Sequence, residues 1–329
     1  MPNTDLPLEE LRSFKPDLEP PAGLADFWAT TLSEARSHDL AATFTRVDAG
    51  LTLIETYDVT FSGFGGDPIR GWLRLPAGAE APLPAVIEYV GYGGGRGLAH
   101  QDLLWPAAGY AYLIMDTRGQ GATWGPGATT DRHRSGDPQV DGVMTDGILS
   151  PETYYYRRLI TDAVRAVEAV RSHPMIDPAR VTVKGGSQGG GLTIAVAGLV
   201  PDLFAAMPDV PFISDFPRAI RMVDTQPYAQ IANYLKVHRD RVAQVERTLA
   251  HVDAAILGRT ATAPALFSVG LMDTICPPST VYAAYNWYGG QKEIREYAFN
   301  DHEGGGEMHE AVMVAWLGAR VREAADSVG

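Results

Sequence analysis

A single cysteine, Cys276, stands in this chain of 329 residues, so no disulfide can form within it. Nothing in the cysteine content points to an oxidising compartment. Basic residues are also scarce. Lys and Arg number 27 against 40 Asp and Glu, and the net charge is −13. A surface of that sign argues against nucleic acid or an anionic membrane as the main partner, because both require clustered positive charge. Long apolar runs are missing as well. Stretches such as Leu192–Val200 fall far short of the roughly 18 residues that a membrane span needs. Residues 1–20 carry Asp5, Glu9, Glu10, Asp17 and Glu19 and no apolar run, so no secretory leader is expected and a cytoplasmic protein is the expectation.

Several site types are missing too. The chain holds no G-x-x-x-x-G-K-[ST] and no G-x-G-x-x-G, which leaves phosphate-loop and dinucleotide readings without support. His302-Glu303 is not followed by a histidine at zinc-site spacing. No cofactor and no metal are therefore expected. Cys276 has no activating base beside it in sequence and precedes two prolines, so a small buried residue is expected there. Neither an internal repeat nor a low-complexity tract is present.

What is present reads as a loop-rich α/β protein. Hydrophobic residues make up 45% and charged ones 20%, the balance of a globule with a sizeable core. The 35 glycines and 23 prolines cluster between apolar runs. Leu24–Trp28 opens a helix, and Thr56–Ser62 and Pro68–Leu75 alternate like an antiparallel hairpin. Pro84–Val90 and Tyr110–Met115 are short continuous apolar runs that suit strands buried on both faces of a parallel sheet. Tyr154–His173 is a helix with Ile160, Ala163, Val164, Val167 and Val170 on one face. After the turn Asp177-Pro178 come a strand at Arg180–Lys184 and a helix at Leu192–Leu199. Ala263–Val269 is a strand, Thr280–Tyr288 a helix, Glu293–Phe299 a strand and Met308–Arg322 a closing helix. This alternation implies βαβ units and a mostly parallel sheet.

We expect one domain over residues 1–329, with an N-terminal helix and antiparallel strands in residues 1–80. No strand is legible between Asp215 and Leu257, where Val242, Val245, Leu249 and Val252 trace a helical stripe. That stretch, residues 215–257, reads as a helical insertion that packs on the core, covers a site or meets another subunit.

Chemistry concentrates at Gly185-Gly186-Ser187-Gln188-Gly189-Gly190. A G-x-S-x-G between a strand and a helix is a nucleophile elbow, whose glycines permit a sharp turn that lifts the serine above the sheet. The plainer alternative is a glycine-rich loop whose serine caps a helix. Serine needs a base. In an α/β-hydrolase the partners follow in the order Ser, Asp/Glu, His. Asp273, four residues after the strand Ala263–Val269, and His302, after the strand Glu293–Phe299, fit that order. Asp273 could be a plain turn residue, and His309 is a lesser candidate for the base. Oxyanion donors are expected from the backbone N–H of Gln188 and from the loop Gly91–Gly95, where Tyr92 is the candidate.

The chain also resembles the acetyl xylan esterase/cephalosporin C deacetylase family, carbohydrate esterase family seven. The resemblance rests on Arg118-Gly119-Gln120-Gly121, Gly147–Glu168, the elbow GGSQGG, Asp209–Phe212, Tyr234–Asp240, Ala263–Asn286 and His302-Glu303-Gly304-Gly305. It implies an α/β-hydrolase serine esterase, without a metal, that deacetylates small substrates such as xylo-oligosaccharides, acetylated sugars and cephalosporin C. It also implies a cytoplasmic hexamer built as a trimer of dimers. The family triad falls on Ser187, Asp273 and His302, and the oxyanion donors fall on Tyr92 and Gln188. Tyr92 is carried over as a substrate-binding residue too.

Val90 and Gly93 depart from the family's usual oxyanion loop, which could alter the acyl pocket or the fit to sugar rings, and Asp146 replaces an expected basic or polar residue. Arg118 is expected to hydrogen-bond backbone or a carboxylate, and Tyr154–Tyr156 to pack at a helix start. Trp105 and Trp124 are candidates to stack on a sugar ring, with core packing the expected role of either one. Two alternatives stand beside the esterase. One is a peptidase of the prolyl-oligopeptidase type, for whose propeller the chain has no room. The other is a non-catalytic binding protein on a hydrolase fold.

Overall fold

The computed structural model describes residues 5–326. The helices are α1 (Leu8–Ser13), α2 (Leu24–Arg36), α3 (Leu104–Ala107), α4 (Tyr155–Arg171), α5 (Gln188–Leu199), α6 (Phe216–Met222), α7 (Tyr228–Val237), α8 (Val242–Ala250), α9 (Ala254–Leu257), α10 (Pro278–Trp287) and α11 (Gly306–Asp326). The strands are β1 (Thr43–Val47), β2 (Ile54–Ser62), β3 (Pro68–Pro76), β4 (Leu83–Tyr89), β5 (Ala111–Met115), β6 (Ile176–Gly186), β7 (Ala205–Asp209), β8 (Ala265–Gly270) and β9 (Lys292–Tyr297). They form one nine-stranded sheet in the order β1-β2-β3-β5-β4-β6-β7-β8-β9. The sheet is parallel from β5 through β9, and β1, β2 and β3 join it by antiparallel pairing.

Burial follows the expected patterning. Every residue of β5 and of β8 is buried, as continuous apolar strands inside a parallel sheet require. Val86 of β4 and Met207 of β7 point to one face, where Trp105 of α3 and Met313 and Leu317 of α11 cover them. Ile87 points to the other face and packs in the larger core with α4, α5 and α10. Around residue 177 the structure reconciles a turn with a strand. Leu83 pairs with Ile176 while Ala85 pairs with Val181, so residues 177–180 bulge out of the ladder. The side chain of Asp177 accepts the Ala179 N–H across this bulge.

Two features lay outside the sequence reading. Strand β7 reads AAMPD, short and with a proline, and its place comes from pairing with β6. Helix α4 is buried almost all round, not on one stripe alone. Its polar residues Arg158, Asp162 and Arg165 are buried along with the apolar ones, and each has charged or carbonyl partners. Between residues 215 and 257 the chain is helical, and Val245, Leu249 and Val252 of the stripe lie in the core while Val242 is exposed. Of the three roles open to that stripe, packing on the core is the one observed. The Trp28 indole of α2 donates to the His251 carbonyl at 2.9 Å, which ties the N-terminal helix to this segment.

Candidate active site

Strand β6 ends at Gly186 and α5 begins at Gln188, which leaves Ser187 alone at the turn with φ 55° and ψ −118°. A non-glycine residue with positive φ is strained, and strain of this kind persists only where the surroundings over-determine it. Here the Ser187 N–H donates to the Asp209 carbonyl at 3.0 Å, and the Ser187 carbonyl accepts from Gly191 and Phe212. Close approach explains the glycine that follows. A Cβ on Gly189 would lie 1.9 Å from the Tyr89 carbonyl oxygen.

The three expected triad residues follow β6, β8 and β9 in the chain, and two of them are joined by a hydrogen bond. His302 Nδ1 lies 2.8 Å from Asp273 Oδ2. The other oxygen, Asp273 Oδ1, accepts the N–H groups of Ile275 and Cys276, each at 2.8 Å. Asp273 is thus buried and held at both oxygens, which fixes the ring it meets. Ser187 and His302 line one cavity of about 770 Å³ together with Tyr92, Trp124 and Asp209.

Of the expected oxyanion donors, Gln188 directly follows the serine in the chain and Tyr92 lines the same cavity. Among the described residues, neither the Tyr92 N–H nor the Gln188 N–H is donated to another group. The Tyr92 phenol oxygen accepts from the Val143 N–H and from the Gln230 amide, which turns that end of the side chain away. Both walls are tied together by Gln120. Its Oε1 accepts the Gly93 N–H at 2.6 Å, and its Nε2 donates to Gln188 Oε1 at 3.0 Å and to the Tyr155 hydroxyl at 2.8 Å. The Gln188 side chain in turn donates to the Val90 carbonyl. An arrangement of this kind can activate a hydroxyl and hold an oxyanion, as acyl transfer requires.

A family model described as acetyl xylan esterase (AXE1) matches residues 1–320. The chain belongs to the acetyl xylan esterase family. The acetyl xylan esterase from Paenibacillus sp. R4 superposes with a TM-score of 0.91 at 37% identity, over 95% of this chain and 99% of that one. Acetyl xylan esterase 1 from Thermoanaerobacterium sp. JW/SL YS485 gives 0.88 at 30% identity, over the same shares. Acetyl esterase Axe7A of Xylanibacter ruminicola is 26% identical over 314 residues, which is 94% of this chain and 69% of that protein. As an acetyl xylan esterase family member with the α/β-hydrolase fold, the chain is a carboxylic ester hydrolase of the serine acetyl esterase kind. Among the described residues no helix is long and apolar enough to cross a membrane.

In this esterase burial lowers the His302 pKa, but the hydrogen bond and charge of Asp273, with the charges of Asp209 and Asp301, outweigh it. The pKa ends above the ordinary histidine value. His309 is fully buried, with Nδ1 2.9 Å from the Tyr297 hydroxyl, and its pKa is lowered by that burial. Cys276 is buried as expected, yet its sulfur lies within 4.8 Å of ligand atoms of both Asp273 and His302, a proximity the sequence spacing hides. Burial and the Asp273 charge push its thiol well up, so it is protonated.

Arg118 is fully buried and salt-bridged to Asp162 at 2.5 Å, with Asp67 and Asp131 also in reach. Asp146, the family departure, pairs with Arg158 at 2.9 Å. Tyr154–Tyr156 are buried at the start of α4. Trp105 is core and cannot meet a sugar. Trp124 is 63% exposed at the cavity, with its indole N–H held by the Tyr92 carbonyl at 2.8 Å. The sequence reading holds Asp209 only as the start of the family segment Asp209–Phe212 and gives it no role at the site, because the strand that delivers it is not legible.

Proposed function

We propose that Ser187 is the nucleophile, His302 its base and Asp273 the residue that orients and charge-stabilises His302. His302 takes the serine proton as the oxygen attacks an acetyl ester carbonyl. The N–H groups of Tyr92 and Gln188 hold the tetrahedral oxyanion. Collapse expels the alcohol with a proton from His302, and water then releases acetate from the acetyl-enzyme. The observation that carries this reading is the His302–Asp273 bond at 2.8 Å beside a strained Ser187.

The substrates are small acetylated molecules, with acetylated xylo-oligosaccharides, acetylated sugars and cephalosporin C as the candidates that the family resemblance offers. Tyr92 contributes to binding them. The same resemblance supports one hydrolase domain, working in the cytoplasm as a hexamer, a trimer of dimers. Light scattering on the eluted protein tests the assembly. For the chemistry, rapid mixing with 4-nitrophenyl acetate should give a burst of nitrophenol and an acetyl adduct on the peptide carrying Ser187. An adduct on another residue would contradict the assignment, and turnover of dipeptide aminoacyl substrates would favour the peptidase.

A further inference from the structure

Four of the five residues in the loop Gly91-Tyr92-Gly93-Gly94-Gly95 are glycine. Glycine has the most backbone freedom to lose, so this run does not fix its own conformation. Tyr92 brings the only side chain by which the loop can be anchored. Among the described residues, every polar group of Tyr92 except its N–H is engaged. The carbonyl accepts the Trp124 indole N–H at 2.8 Å. The phenol oxygen accepts the Val143 N–H at 3.1 Å and the Gln230 amide at 2.9 Å. One residue on, Gln120 holds the Gly93 N–H.

Gln230 is the third residue of α7, within the helical stretch 215–257. Its side chain is polar, yet the residue is only 3% exposed. The amide joins two loops. Nε2 donates to the Tyr92 phenol, and Oε1 accepts the Met144 N–H at 3.2 Å. Residues 142–144 close tightly on it, since a Cβ on Gly142, at φ 116°, would lie 2.3 Å from Gln230 Oε1. Burying an amide is unfavourable unless its hydrogen bonds are made. Tyr228 and Ile231 of α7 already pack in the core, so Gln230 is not needed there for apolar contact.

Building on the esterase reading above, we infer that Gln230 is a positioning residue: from α7 it holds the Tyr92 phenol, and through that side chain it fixes the glycine loop so that the Tyr92 N–H stays aimed at the oxyanion. The helical insertion thereby takes part in acyl transfer without touching the substrate. The benefit falls on the transition state, where charge builds on the carbonyl oxygen, and not on binding of the ester itself.

Two substitutions cut the same link from its two ends. Gln230→Met keeps the side-chain length and removes the amide. Its kcat on 4-nitrophenyl acetate should fall roughly three- to thirtyfold, with KM within about twofold of wild type. Tyr92→Phe removes the hydroxyl and keeps the N–H, so it should show a loss of similar size in kcat. Combined in one chain, the two should cost no more than the larger alone, because only one link is broken. Gln230→Glu still accepts the Met144 N–H and offers its second oxygen to the Tyr92 hydroxyl, so it should keep most of the rate that Gln230→Met loses. Should Gln230→Met not fold, Tyr92→Phe decides alone, by whether kcat falls. Unchanged kcat in the folded single variants, losses that multiply in the double variant, or a loss wholly in KM overturns the role of Gln230. The esterase reading then stands as long as Ser187→Ala is inactive. A Ser187→Ala variant that keeps its rate overturns the esterase reading instead.

Discussion

His302 makes the pH dependence of this enzyme specific. As the proposed base it must be neutral to take the serine proton, so a pKa raised by Asp273, Asp209 and Asp301 against the lowering effect of burial moves the acid limb upward. The limb of kcat/KM should therefore lie above the ordinary histidine value of about 6.5. Asp209→Asn removes one of the raising charges and should shift the limb to lower pH. A limb below the ordinary value, or one that Asp209→Asn moves upward, contradicts this electrostatic account. Gln120 gives a second prediction at this scale. It holds the Gly93 N–H and the Gln188 amide at once, so Gln120→Ala loosens both walls of the proposed oxyanion site. We expect kcat to fall by roughly 10- to 100-fold with little change in KM, less than outright loss of one donor costs. An equal rise in KM with kcat intact would make Gln120 a binding residue.

At the scale of elements, the elbow is set by backbone crowding between β4, β6 and α5. Gly189→Ala would drive a methyl group into the Tyr89 carbonyl, so α5 or β4 must shift. We expect a loss of about 1–3 kcal/mol in denaturant unfolding, the range for overpacking, together with a drop in activity as Ser187 is displaced. Unchanged stability would mean the elbow is more pliant than its packing implies. The legibility of the elements follows the same physics. Strands β5 and β8 announce themselves because burial on both faces selects continuous apolar residues. Strand β7 does not, because Ala205-Ala206-Met207-Pro208-Asp209 has low strand propensity and owes its conformation to its neighbours. The place of Asp209 beside the elbow is hidden with it. The burial of Arg118 among three aspartates was foreseeable only as a tendency, since its partners come from distant segments.

For the whole molecule, residue order was enough to pick out the proposed triad, because the hydrolase topology brings the ends of β6, β8 and β9 to one edge of the sheet. Order said nothing of what surrounds the triad. The sulfur of Cys276 near His302 and the exposed face of Trp124 both depend on loops that converge only in three dimensions. The net charge of −13 was legible from the start, but not that part of it lines the cavity over Ser187. The central claim is that Ser187 carries a deacetylation reaction. The most direct test is hydrolysis of 4-nitrophenyl acetate and 4-nitrophenyl octanoate by wild type and by Ser187→Ala, each shown to be folded. The account predicts that wild type prefers the acetyl ester and that the variant loses a factor of roughly 10³ or more. A variant that keeps its rate, or a wild type inactive on the acetyl ester, would contradict it.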